Sequence, residues 1–266
     1  MNLTFLANQL GVFIAIIIAG IIGAIFSLML AFAAIKLKAD QTIGGTALNI
    51  MAPALAVVIT WAIQGEGQSS IKIPEWVMMS TAGVDANFFE RIFFKNSYLT
   101  TIVAIVLFIL FTVLLYKTKF GLRLRACGEH PQAADSVGID VYKIRYIGVI
   151  ISGFLAGIGG FAFIISTTTS FTSTVAGYGF LALAVMIFGN WKPVRILFAA
   201  ILFAFFQALS GMATTISFLP KFNGVNQSFY IYLLLPYVIT LLILAFTSKN
   251  SRAPKASGIP YDKGKR

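Results

Sequence analysis

The chain has 266 residues, 58% of them hydrophobic and only 11% charged, with a formal net charge of +11. A soluble domain of this size needs far more charge to cover its surface, so the composition excludes that class and indicates an integral membrane protein. A single cysteine, Cys127, excludes an internal disulfide, and the first apolar run is preceded by no basic residue of the kind that opens a signal peptide.

A membrane-crossing helix needs about 20 apolar residues. Seven segments are candidates: 11–35, 42–64, 98–116, 146–165, 175–190, 194–212 and 229–247. Their apolar runs are continuous rather than alternating, which disfavours a barrel of strands. The expected fold is therefore an all-α polytopic membrane helix bundle of about seven spans. The first span contains Ala19-Gly20-Ile21-Ile22-Gly23-Ala24-Ile25-Phe26, and the fourth contains Ala156-Gly157-Ile158-Gly159-Gly160-Phe161-Ala162-Phe163. The small residues align, and each run is followed by a polar break and another apolar segment. This is the pattern of an inverted-topology repeat, which in transporters puts the solute path at the repeat interface. Close packing of membrane helices through Ala and Gly explains the same residues, and Gly153 and Gly157 form a small-xxx-small face on either reading.

The second span opens on Gln41-Thr42-Ile43-Gly44-Gly45-Thr46-Ala47-Leu48-Asn49 and contains Pro53, while Gly177-Tyr178-Gly179 opens the short fifth segment, which reads as a broken or re-entrant helix. Polar groups at membrane depth are costly unless they face a cavity or a partner, and Gly and Pro permit unwound backbone there. Gln41, Thr46, Asn49 and Tyr178 are thus candidates to line a solute path. Trp61 and Phe180 could offer an aromatic face to the same solute. Interhelical hydrogen bonding and an ordinary helix cap are the plain alternatives.

Sixteen of the 20 basic residues fall on one side when the connections are allotted alternately. These are Lys36, Lys38, the six of the 117–145 loop, Lys192, Arg195 and the six of the 248–266 tail. The positive-inside rule makes that side cytoplasmic, so the C-terminus is expected inside and the N-terminus and the 65–97 loop outside. An external start without charge implies that one helix precedes what this chain holds. The interiors of the spans carry no Asp, Glu, Lys, Arg or His, and the sequence holds no nucleotide-binding motif, catalytic cluster or metal-ligand cluster. No cofactor and no nucleic acid are expected, and a carrier without its own energy source points to an external motor.

The loop 117–145 is the longest basic connection. Pro131 suits the first turn of a helix, Gln132–Val137 favours helix, and Gly138 suits its end. A short helix outside the membrane is therefore expected, either as a topology-setting connector or as a docking element.

The run Arg125-Ala126-x-Gly128-x-x-Pro131-x-Ala133-Ala134-x-x-x-Gly138-Ile139-x-Val141, followed by Ser152-Gly153-x-Leu155-Ala156-Gly157-x-x-Gly160, resembles the permease subunits of bacterial ABC importers of the branched-chain amino acid, ribose and nucleoside type. The similarity continues through Gln41–Asn49, Gly177–Ala184 and Gly189-Asn190-Trp191-x-Pro193, and favours the nucleoside and simple-sugar branch. The resemblance implies a permease domain over 1–247, a basic cytoplasmic tail over 248–266, and a coupling loop read by a cytoplasmic ATPase through Arg125, Gly128, Glu129, His130, Pro131, Ala133, Ala134 and Gly138. It also implies ATP on that partner, a second permease subunit, an extracytoplasmic solute-binding protein or lipoprotein, and residence in the bacterial cytoplasmic membrane. Nucleosides are the expected solute, with simple sugars or branched-chain amino acids as alternatives. A stand-alone carrier or channel is the reading from another class. Two departures stand out: His130 replaces a common Asn, a better N-cap, and the family's early Gly-rich segment is absent, in line with a missing N-terminal helix.

Overall fold

A computed structural model describes residues 3–67, 70–74, 78–79, 97–167, 170–171, 173–174, 177–212, 230–231, 234–235, 237–238 and 253–264. The chain divides into two compact units, Met1–Val175 with Ala256–Arg266, and Ala176–Lys255.

In the first unit, the apolar runs become helices because hydrocarbon offers backbone groups no partner but one another. Helix α1, Leu3–Ala31, ends in a π-helical turn at Phe32–Lys36, and Lys36 Nζ lies 5.6 Å from the centre of the Phe32 ring. Helix α2 is Gln41–Gln64 and α3 is Leu99–Lys117. Two short helices follow, α4 at Lys119–Glu129 and α5 at Pro131–Ser136, before the long α6 at Val141–Thr167. The strand β1, Ile71–Lys72, pairs antiparallel with a second strand at Ser170–Phe171, so the connection after α2 is tied to the end of α6. A second antiparallel pair joins Met78–Met79 to Ser97–Tyr98.

Helices α1 and α6 form the central contact of this unit. Small residues at four-residue intervals line both sides: Ala19, Gly23 and Ser27 on α1, and Gly153 and Gly157 on α6. A methyl group on Gly23 would strike the Gly153 carbonyl, and one on Gly157 would strike the Ala19 carbonyl. Backbone thus meets backbone. The Ser27 hydroxyl at this contact donates to its own helix at Ala24 O, 2.8 Å. Toward the far end, Val12, Ile16, Ile158 and Ile165 form an apolar core, with Ile73, Tyr98 and Leu99 packed against it.

In the second unit, α7 is Tyr178–Phe188 and α8 is Pro193–Met212. They pack through Val185, Ala199 and Phe203, with the Phe188 and Phe203 rings edge to face at 6.4 Å. Gly189 admits Ile196 where a side chain would not fit, and the turn passes through Asn190 and Trp191 in the left-handed region, at φ 52° and 59°.

Among the described residues, five helices are long and apolar enough to cross a membrane: α1 with its π-turn, α2, α3, α6 and α8. They match five of the seven expected spans. The fifth expected span, 175–190, holds only the 11-residue α7. At 1.5 Å per residue that helix is about 16 Å long, roughly half the hydrocarbon core. The seventh, 229–247, lies mostly outside the described residues, although 230–231, 234–235 and 237–238 are helical. The expected break at 41–49 is not a break. Asp40 Oδ1 accepts from the amides of Thr42 (2.6 Å) and Ile43 (3.2 Å), and the helix runs unbroken from Gln41 past Gly44, Gly45 and Pro53. An N-cap that satisfies the first free amides removes the reason for unwinding. The break at Gly177 is present: its φ of 78° suits glycine, and α7 starts at the next residue.

Candidate functional site

The segment between α3 and α6 is folded throughout. Thr118 caps α4 by accepting from Gly121 N at 3.1 Å. Gly121 is buried against the carbonyls of Leu114 and Leu115, so the tight reversal from α3 into α4 has room for no side chain there. Arg125 reaches back over the Tyr116 ring, 4.9 Å from its centre. The stack fixes a cation beside the membrane end of α3.

His130 separates α4 from α5. Its amide bonds Ala126 O at 2.9 Å and its carbonyl accepts from Ala134 N at 3.0 Å, while its side chain makes no capping bond. Pro131 starts α5 as expected. The helix ends when Gly138, at φ 83°, turns the chain left-handed, with Gly138 N bonding Asp135 O and Ile139 N bonding Ala134 O. Asp140 then caps α6, accepting from Lys143 N at 3.0 Å.

This arrangement divides the sequence-predicted coupling residues in two. Arg125, Glu129, His130, Ala133 and Gly138 are exposed, and so are their neighbours Gln132, Ser136 and Val137. Pro131 and Ala134 point inward. Ala134 joins Cys127, Val141, Ile144 and Tyr261 in a buried cluster, with Phe120, Leu124 and Tyr142 around it. Burial pushes the Cys127 thiol above its ordinary pKa, so it is held as an unreactive thiol. The Gly128 carbonyl accepts from Ala256 N at 3.0 Å.

The sequence reading missed the contribution of the tail. Residues 256–264 pack on α4, α5 and α6, and Tyr261 is 5% exposed among them. The Tyr142 and Tyr261 rings lie 5.2 Å apart, and Arg145 Nη1 donates to Ile259 O at 3.1 Å. Burial and a hydrogen bond to Asp135 raise the Tyr261 hydroxyl above its ordinary value. The signal available was the apolar-aromatic Ile259-Pro260-Tyr261 within an otherwise polar tail.

The solute-path candidates are spread more widely. On α2, Gln41 is half-buried, Thr46 and Asn49 are exposed, and Trp61 is 44% exposed. Thr46 Oγ1 donates to Thr42 O within its own helix at 2.8 Å. In the second unit, Phe180 is exposed, and Tyr178 Oη accepts from Gln207 Nε2 at 2.9 Å. Gln207, in the interior of α8, is a polar residue at this site that the sequence reading did not single out. Among the described residues no group of His, Cys, Asp and Glu could hold a metal ion.

Over residues 1–244 the sequence matches the family described as branched-chain amino acid transport system / permease component. The chain belongs to this permease family. It is 43% identical over 269 residues to the guanosine ABC transporter permease protein NupQ of Bacillus subtilis, covering 98% of this chain and 82% of that one. It is 40% identical over 255 residues to the nucleoside ABC transporter permease protein NupC of Lactococcus lactis, covering 95% and 78%. A putative glucose ABC transporter permease protein, TsgC13 of Haloferax volcanii, is 30% identical over 193 residues, 70% of this chain and 57% of that one. No solved structure matches. The family and the five spanning helices make this a multi-pass membrane protein, as composition required.

Proposed function

We propose that the chain is the membrane-spanning permease subunit of an ABC importer and that its solute is a nucleoside. One observation carries the reading: a short helix with an exposed face, α5, stands between two membrane helices in a chain 43% and 40% identical to guanosine and nucleoside permeases. A cytoplasmic ATPase pair grips α5 at Ala133 and the residues around it. Its closure on ATP displaces α5, and α6 carries the displacement to α1 through the glycine contact. Access to a central path then switches from outside to inside, as rocking repeats do in other transporters. The concentration of basic residues on one side supports a cytoplasmic C-terminus and coupling loop. A second permease subunit and an extracytoplasmic binding protein or lipoprotein complete the importer. On α2, Gln41, Thr46, Asn49 and Trp61 are candidates to meet ribose or base, and on α7 Tyr178 and Phe180 are separate candidates of the same kind.

Uptake of labelled purine and pyrimidine nucleosides, with simple sugars as competitors, tests the solute. Nucleosides should compete with one another and sugars should not. Uptake blocked by sugars alone would transfer the chain to the sugar reading, which the similarity to the glucose permease protein keeps in view. Transport unaffected by ATP depletion would replace the importer with a stand-alone carrier.

A further inference from the structure

The tail touches four elements at one end of the first unit. Lys38, just past the π-turn of α1, pairs with Asp262 at 2.9 Å. Gly128 at the end of α4 bonds Ala256, and Asp135 on α5 faces Lys263 at 3.7 Å. Arg145 on α6 bonds Ile259 and lies 5.8 Å from the centre of the Tyr261 ring. The two ion pairs are partly exposed and contribute little. The buried Tyr261 ring is the anchor, because aromatic burial dominates contacts of this size. Gly258, at φ 76°, makes the turn that delivers Ile259, Pro260 and Tyr261 to the cluster.

The side of α5 that the tail covers is decisive. Pro131 and Ala134 are buried, while Gln132, Ala133, Ser136 and Val137 remain exposed. The tail thus backs α5 and leaves its outer face open. Without a backing, α5 is a six-residue helix hung between His130, which offers no side-chain cap, and the glycine turn at 138. Such a helix would yield at its two hinges when pushed.

We propose that residues 256–264 are a positioning strap that locks α5 to α4, α6 and the end of α1, so that displacement of the outer face moves the spanning helices instead of bending the hinges. Tyr261 is its positioning residue. The role rests on the importer reading above. It makes the tail part of the transmission rather than a loose basic extension or a plug over the docking face.

The single cysteine of the chain provides a probe of the strap that is independent of transport, since Cys127 is 2% exposed in the cluster Tyr261 completes. The full chain and two variants, Tyr261→Ala and Tyr261→Phe, are purified as the complex with the ATPase and the second permease subunit and reconstituted in vesicles with the binding protein and guanosine as solute. Three quantities are read: the maleimide labelling rate of Cys127, the amount of ATPase retained, and the ATP hydrolysed per guanosine moved. Loss of the ring should speed labelling by about tenfold, the expected penalty for opening a buried aromatic contact. The ATPase should be retained, and the ATP used per guanosine should rise by about fivefold, the lower range of measured coupling between sites. Tyr261→Phe should bring the labelling rate and the ATP used per guanosine back toward the parent values.

Unchanged labelling in Tyr261→Ala would overturn the strap. So would faster labelling with an unchanged ATP ratio, because the tail would then be seated without transmitting anything. Loss of the ATPase from Tyr261→Ala would also overturn it, in favour of a tail that belongs to the docking surface. Failure of the underlying reading is distinguishable, because it appears in the parent protein as transport independent of ATP before any variant is compared.

Discussion

The α1–α6 contact and the cluster under the tail hold the same helix, α6, by opposite means. In the membrane, α6 meets α1 through Gly153 and Gly157 against Ala19, Gly23 and Ser27, with backbone touching backbone. Outside it, α6 meets α4, α5 and the tail through Val141 and Ile144 packed on Cys127, Ala134 and Tyr261. The solvent makes the difference. Lipid tails are as apolar as leucine, so burying leucine between membrane helices gains little, and close van der Waals approach must come from small residues. Water restores the gain from removing apolar surface, so the end outside the hydrocarbon packs like the core of a soluble protein. Along one helix, the rule that selects residues changes where the hydrocarbon ends.

The largest test of that contrast is Gly157→Leu. The added side chain meets the Ala19 carbonyl with no room to turn, so a loss of about 3 kcal/mol or more is expected, at the upper end for overpacking. Thermal unfolding in detergent should show it, and an unchanged midpoint would mean that α1 and α6 do not depend on small residues. Next, Ile144→Ala in the cluster should cost about 2 to 3 kcal/mol. The same deletion at the exposed Ile109 of α3 should cost about 0.5 kcal/mol or less. Equal costs would erase the distinction between the two environments.

Ala133→Glu addresses the exposed face of α5 alone. Stability should stay within about 0.5 kcal/mol of the parent, while nucleoside uptake falls by about tenfold, as for a central contact in an interface. Normal uptake would remove α5 as the docking element. The smallest effect is the cap of α2. The amides of Ile43 and Thr42 hold the Asp40 carboxyl below its ordinary pKa. A depressed folded pKa stabilises above the unfolded value of about 3.9, and that contribution is lost as pH falls through the folded value. Asp40→Asn should therefore flatten the acid limb of a stability profile, which in the parent begins to fall below about pH 4. An unaltered acid limb would show that the cap contributes nothing to the fold.

The outer residues of α5 were legible because helix start and stop chemistry is local: Pro131 at the first turn and Gly138 at the end bracket the helix in the sequence as they do in space. The inward turn of Pro131 and Ala134 was not legible, since which face of a six-residue helix is buried depends on what lies behind it. What lies behind is the tail, more than 100 residues away in sequence for the Arg145–Ile259 bond, separated by 114 positions. Gly121 and Gln207 were missed for a related reason. Each acquires its meaning from a neighbour, the α3 carbonyls and the Tyr178 hydroxyl, that no short window contains.

The sequence by itself determined the membrane class, five of the spanning helices and the ends of α5. These follow from the cost of exposing backbone or charge to hydrocarbon, and that cost acts residue by residue. Only the tertiary structure decided that the two glycine runs, matched first as a possible repeat, lie against each other, that α2 runs unbroken past Gly44 and Gly45, and that the tail is seated on α5. Those outcomes depend on which surfaces meet, and shape complementarity between distant segments is not written in any one of them.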